Sequence, residues 1–247
     1  MITGPVCLLV FAKVPRPGRV KTRLTPPLTP QWAARLYDAF LRDALDQYAA
    51  QARHTPGDPE ADPFGLGEPA SVRVYLDERP PAGLVPDAAE VHLQVGTGLG
   101  ERMAAAFATA FADGFERVVV VGTDHPTLPP VLLGEAFRQL REPMTCVLSP
   151  SDDGGYVFLG LNDLAPGLFD MEYSHTRVFR DTLEEAHLAQ LSPVVLPGHY
   201  DVDDADDLRR LIAEWEGGAT VGARTADLLS QLPGVLPAPP YLRRTDP

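Results

Sequence analysis

Long apolar runs are missing from this 247-residue chain, and cysteine is nearly so. No stretch approaches the roughly 18 uninterrupted apolar residues of a membrane-spanning helix. The short apolar run at 5–12 has no charged segment before it, so neither a signal peptide nor a transmembrane helix is expected. The two cysteines, Cys7 and Cys146, lack metal-ligand spacing, and each sits in a hydrophobic run that reads as a buried strand. Reduced core thiols in a cytoplasmic protein are the expectation. Positive charge is also in deficit: 21 Lys and Arg face 34 Asp and Glu, a formal net charge of −13. That balance argues against a general nucleic-acid binder and a polybasic membrane anchor. Neither the GxxxxGK[ST] of a P-loop nor the GxGxxG of a dinucleotide fold is present. There is no internal repeat. The length suits one large α/β domain, or two small ones, with a core that needs no disulfide or metal.

Against this acidic background, "KVPRPGRVKTRL" (13–24) gathers Lys13, Arg16, Arg19, Lys21 and Arg23. It follows "PVCLLVFA" (5–12), a continuous apolar run that reads as a strand buried on both faces. Pro15, Pro17 and Gly18 bend the loop and keep it out of helix or strand. Lys and Arg in such a loop suit phosphate oxygens; solvated charge is the alternative. Thr29 and Pro30 then open a helix as N-cap and first helical residue. The spacing of Ala33, Leu36, Tyr37, Phe40, Leu41, Ala44, Leu45 and Tyr48 marks its inner face. Residues 52–70, rich in Pro, Gly and Asp, read as a flexible surface loop. Strands are expected at "SVRVYL", 90–94, "RVVVVG", "TCVLSP", "YVFLGL" and "SPVVLP". Helices are expected at "GLGERMAAAFATAFADG", from Pro129 to Leu140, at "SHTRVFRDTLEEAHLA" and at "DADDLRRLIAEW". A weak helix (about 222–231) and a partly mobile Pro-rich stretch follow. Strands alternating with helices imply a mostly parallel sheet flanked by helices, with ligands beyond the carboxyl ends of the strands.

Three further loops carry candidate chemistry. Asp124, in "VGTDHP", ends the most hydrophobic strand, where a carboxylate suits Mg²⁺ or Mn²⁺ shared with phosphate, or caps a turn. His125 beside it reads as structural. In "SPSDDGGYVFLGL", Gly154 and Gly155 permit a tight turn near a ligand, or simply a hairpin turn. In "HYDVDDADDL", helix capping alone accounts for Asp204, Asp206 and Asp207. Asp201 and Asp203 precede that helix and could share a cleft with Asp124.

The motifs "FAKVPRPGRVKTRL", "GLGERM", "VGTDHPTLP", "PSDDGGYVFLGL" and "DVDDADDL", in this order over about 5–210, resemble the DUF2064 family. That family is also called the radical-SAM/selenodomain-associated transferase type 1, of the nucleotide-diphospho-sugar transferase superfamily. The resemblance implies a Rossmann-like GT-A fold with a mostly parallel mixed sheet. It places one domain over 1–216, with 52–70 as a mobile insertion, and a C-terminal extension over 217–247. It implies that Lys13, Arg19, Lys21 and Arg23 line a nucleotide and phosphate pocket, with Lys21 also catalytic. Gly98, Gly100 and Arg102 would form a second wall. Asp124 and Asp203 would bind Mg²⁺ or Mn²⁺. Gly154, Gly155 and Tyr156 would floor the sugar or acceptor, with Asp153 as base. Three positions depart from the pattern: Gly122 removes the first acid of an Asp-x-Asp pair, His125 stands where Ser or Cys is commoner, and Tyr173 where Trp is. The implied reaction is glycosyl transfer from an NDP-sugar to an unknown small-molecule acceptor. "KTRL…LTP" is also similar to the phospholactate guanylyltransferase group, which leaves open nucleotidyl transfer from an NTP. An inactive nucleotide-binding regulator is a third reading, and a homodimer is an open possibility.

Overall fold

The computed structural model describes residues 1–55 and 62–232. Seven strands form one sheet in the order β3-β2-β1-β4-β6-β5-β7. They are β1 (Val6–Ala12), β2 (Ser71–Leu76), β3 (Glu90–Leu93), β4 (Arg117–Val121), β5 (Thr145–Pro150), β6 (Tyr156–Leu161) and β7 (Ser192–Val195). β1 pairs in parallel with both β2 and β4, β2 with β3, and β5 with β7. Only β6 runs the other way, antiparallel to β4 and β5.

Among the described residues there are six α-helices: α1 (Pro30–Ala52), α2 (Leu99–Ala112), α3 (Val131–Gln139) and α4 (Val178–Leu188) pack on the sheet, and α5 (Ala205–Glu216) and α6 (Ala223–Gln231) pack on α1 and the loop after β1. The unbroken apolar run of β1 is explained by its two faces. Leu8 and Val10 pack with Leu41 and Leu45 of α1 and Phe137 of α3. Cys7 and Leu9 pack with Met103 and Phe107 of α2 on the other side. Burial pushes both cysteine thiols up to about 12, as inert core thiols require. The helix signals hold locally: Thr29 Oγ1 accepts from Trp32 N at the head of α1. "SHTRVFRDTLEEAHLA" turns helical only at Val178, and a short 3₁₀ turn, Pro166–Phe169, precedes it.

One expectation is corrected. The stretch 52–70 is not wholly a surface loop: Phe64 is 0% exposed and sits among Tyr48, Phe137 and Leu133. The helix expected at about 222–231 is α6, and it is packed into the molecule. Leu228, Leu229 and Leu232 close a third core cluster with Phe40 of α1 and Leu208 and Leu211 of α5. The Pro-rich tail lies outside the described residues.

Asp204 caps α5 by accepting from Asp206 N (2.8 Å) and Asp207 N (3.2 Å). Asp207 Oδ2 reaches back to accept from Asp203 N and Asp204 N, both at 3.0 Å. Asp204→Ala is expected to cost about 1 kcal/mol of stability, read by urea denaturation.

Candidate active site

The neighbours β1 and β4 lead in opposite directions along the strand order, β1 by way of α1 to β2 and β4 by way of α3 to β5. The crevice beyond their carboxyl ends is where an open α/β sheet receives a ligand. A cleft of about 600 Å³ lies there, a size suited to a nucleotide. Phe11, Ala12 and Lys13 enter it from β1, and Val120, Val121, Gly122 and Asp124 from β4. Because β6 is reversed, its first residues, Tyr156 and Val157, lie at this edge. The remaining acids arrive from the segment after β7, where Val202 N donates to Asp124 O at 3.0 Å. That bond holds the Asp201–Asp203 segment against the loop after β4, and both acids line the cleft.

Five cations, Lys13, Arg19, Lys21, Arg23 and Arg102, face the cleft with three acids, Asp124, Asp201 and Asp203. Lys21 is central. Its backbone is left-handed, φ 48° and ψ 42°, a conformation uncommon outside glycine and frequent at functional sites. Its side chain is only 4% exposed. The ammonium lies 2.6 Å from Asp124 Oδ1 and 2.8 Å from Asp203 Oδ1, and 5.8 Å from the Tyr37 ring centre. Burial works against its charge, but the two carboxylates outweigh it and raise the lysine above its usual value. Asp203 likewise would be raised by burial, yet Lys21 and Arg23 hold it below the carboxylate range. Arg23 bonds Asp203 Oδ2 from a more exposed position. Tyr37 fixes the floor, its hydroxyl accepting from Lys13 N (2.9 Å) and Thr123 Oγ1 (3.3 Å).

Asp201 has different partners. Ser151 Oγ donates to its Oδ2, and His125 Nε2 lies 3.4 Å from its Oδ1. Burial raises this carboxyl despite His125. His125 is buried, with Nδ1 3.1 Å from Tyr200 O. This Ser151–Asp201–His125 cluster escaped the sequence reading, because its members are distant in the chain and no motif joins them.

Other expected site residues stand elsewhere. Arg102 lines the cleft but is committed to Gly96 O and Gln94 Oε1. Gly98 is the N-cap of α2, between the lining residues Thr97 and Leu99. Gly100 is buried in α2, and a Cβ there would run into Phe169 O and the Tyr173 ring. Gly154, at φ +90°, packs against the Thr176 carbonyl, and Phe179 N donates to Gly154 O at 2.9 Å. Asp153 is exposed and accepts from Gly155 N at 2.9 Å within its own turn. Gly100, Gly154, Gly155 and Asp153 therefore do not line the cleft, and the two wall and floor assignments reduce to Arg102 and Tyr156. Arg16 is paired with Glu78.

A divalent cation requires hard oxygen ligands, shared with phosphate. Asp124 and Asp203 supply such donors and converge, so the residues fit, although the Lys21 ammonium lies between them. Among the described residues no group of three or more His, Cys, Asp or Glu gathers as a metal cage.

A family model described as an uncharacterized protein conserved in bacteria, DUF2064, matches residues 69–175. Over this stretch the chain is similar to DUF2064 proteins. The matched segment carries α2, Asp124 and Tyr156, while Lys13–Arg23 and Asp201–Asp203 come from outside it. A candidate nucleotide-diphospho-sugar transferase from Desulfovibrio desulfuricans G20 has a similar crystal structure. Its TM-score is 0.79 and its identity 29%, over 94% of this chain and 97% of that one. Two structures match more loosely. Rv0371c from Mycobacterium tuberculosis H37Rv has a TM-score of 0.49 and 19% identity, over 85% of this chain and 98% of its own. A CMP:2-keto-3-deoxy-manno-octonic acid synthetase complexed with CTP has a TM-score of 0.48 and 10% identity, over 86% and 99%. No curated protein matches the sequence. The fold is a Rossmann-like α/β fold of the nucleotide-diphospho-sugar transferase type. Among the described residues, no helix is long and apolar enough to cross a membrane.

Proposed function

We propose that this protein is a transferase that takes a nucleoside-diphosphate sugar and passes the glycosyl group to a small-molecule acceptor. One observation carries the reading: a basic loop after β1 and two converging carboxylates, Asp124 and Asp203, share one cleft at the sheet's switch point. The likeness to the Desulfovibrio protein supports it. Lys13, Arg19 and Arg23 would receive the phosphate oxygens, as point charge and planar forks. Lys21 would add its charge to the leaving diphosphate, a stabilisation that grows as the bond breaks. Asp124 and Asp203 would hold Mg²⁺ or Mn²⁺, whose charge offsets that of the leaving group.

UDP- and GDP-sugars with Mn²⁺ are expected to raise the melting temperature, and turnover is expected to release a nucleoside diphosphate. Release of pyrophosphate from an NTP would instead assign nucleotidyl transfer. If neither nucleotide class stabilises the protein, both transferase readings fail. Among the described residues Lys13 has no carboxylate partner, whereas Arg16 is held by Glu78, whose other oxygen lies 3.6 Å from Arg19. Lys13→Ala is expected to weaken nucleotide binding about tenfold, the loss of one charge-assisted hydrogen bond. Arg16→Ala should leave the affinity within about twofold, as an exposed ion pair allows. Isothermal titration with UDP and Mn²⁺ measures both.

A further inference from the structure

We propose that Lys21 is an internal counter-cation that keeps Asp124 and Asp203 from a divalent metal until phosphate arrives, so that metal and diphosphate bind as a coupled pair. The proposal rests on the nucleotide-site reading and adds to it an order of events within the cleft.

The geometry allows one cation at a time. Lys21 Nζ lies 2.6 and 2.8 Å from one oxygen of each carboxylate. A divalent metal held by these two carboxylates would need the space that the ammonium fills. The other oxygen of Asp203 is held by Arg23. Both cations best placed to meet a diphosphate are therefore spent on the acids best placed to hold a metal.

Charge dictates the coupling. In the cleft, Asp124 and Asp203 are balanced by Lys21 and Arg23. Metal alone would displace Lys21 from a buried position and leave its ammonium without a counter-charge, which is costly. Diphosphate alone would find Lys21 and Arg23 engaged. When both arrive, metal takes the carboxylates and the freed cations take the phosphate oxygens, so each ligand removes the obstacle to the other. Such coupling is reciprocal by thermodynamic necessity.

The backbone provides the stored component. Lys21 is one of four non-glycine residues with positive φ among those described, and the only one that lines this cleft. Such a conformation persists only where surroundings over-determine it. Here the surroundings are the two carboxylates and the Tyr37 ring. Release of the ammonium from the acids also frees the backbone at the loop's mid-point.

The test needs no nucleotide, so its failure is distinct from failure of the transferase reading. Mn²⁺ binding is measured by electron paramagnetic resonance, and inorganic pyrophosphate binding by calorimetry, each alone and then together. In the wild type each ligand is expected to tighten the other about tenfold or more. Lys21→Met is expected to bind Mn²⁺ alone about tenfold tighter than wild type and to lose most of the coupling. Asp203→Asn, which opens the other side of the latch, is expected to bind pyrophosphate without metal more tightly than wild type. Asp87→Asn removes an exposed acid that does not line the cleft and controls for net charge; it should match wild type. Equal or weaker Mn²⁺ binding by Lys21→Met overturns the proposal. Should that variant not fold, equal or weaker pyrophosphate binding by Asp203→Asn overturns it independently.

Discussion

Asp124→Asn is expected to lower turnover by about 10²–10³-fold and to abolish the extra thermal stabilisation that Mn²⁺ gives to a bound nucleotide. The substitution keeps shape and removes charge. The backbone bond from Val202 N to Asp124 O is untouched, so the segment carrying Asp201 and Asp203 stays in place. Lys21 loses its 2.6 Å partner but keeps Asp203 at 2.8 Å. The fold should therefore survive with a loss of about 1–3 kcal/mol, the scale of one charged contact left incomplete. Turnover responds far more, because a neutral amide is a poor ligand for a hard cation. Steady-state kinetics and melting curves with and without Mn²⁺ separate the two effects. Metal dependence that persists in Asp124→Asn would remove this residue from the metal site.

Gly154→Ala should destabilise the protein by roughly 2–4 kcal/mol while leaving the nucleotide affinity of the folded protein within about twofold. Gly154 sits at φ +90°, and an added Cβ would meet the Thr176 carbonyl. The segment before α4 is laid directly over this turn, with Phe179 N bonded to Gly154 O. Strain and overpacking thus act together, and the residue does not line the cleft. Urea denaturation gives the first quantity and titration with UDP and Mn²⁺ the second. A large loss of affinity with stability intact would return Gly154 to the ligand floor that the sequence motif suggests.

These two residues mark the boundary of what the sequence reveals. Asp124 was legible because it depends on local signals: an apolar strand, a turn, and the rule that ligands gather at strand ends. Thr29 and Asp204 were legible for the same reason, since a cap is decided within one helical turn. Gly154 was not, because its neighbour Thr176 lies 22 residues away and is delivered by a turn that no periodicity announces. Phe64 was hidden in a Pro- and Gly-rich stretch whose composition suggests solvent, although the residue fills the core beside Phe137. The position of β6 between β4 and β5 is likewise a matter of pairing partners. It nevertheless brings Tyr156 to the cleft. The basic loop lay in between. Its charge and its place after β1 were plain, and Asp203 was expected in the same cleft. That Lys21 would be buried between Asp124 and Asp203 depends on a contact across 182 residues and on a left-handed backbone at a lysine.

The most direct measurement of the central claim is a crystal structure of the protein with a nucleoside diphosphate and Mn²⁺. The account predicts diphosphate oxygens among Lys13, Arg19, Lys21 and Arg23, and the ion on Asp124 and Asp203 with Lys21 turned from the acids to the phosphate. A nucleotide bound outside this cleft, or an ion that touches neither Asp124 nor Asp203, would contradict it.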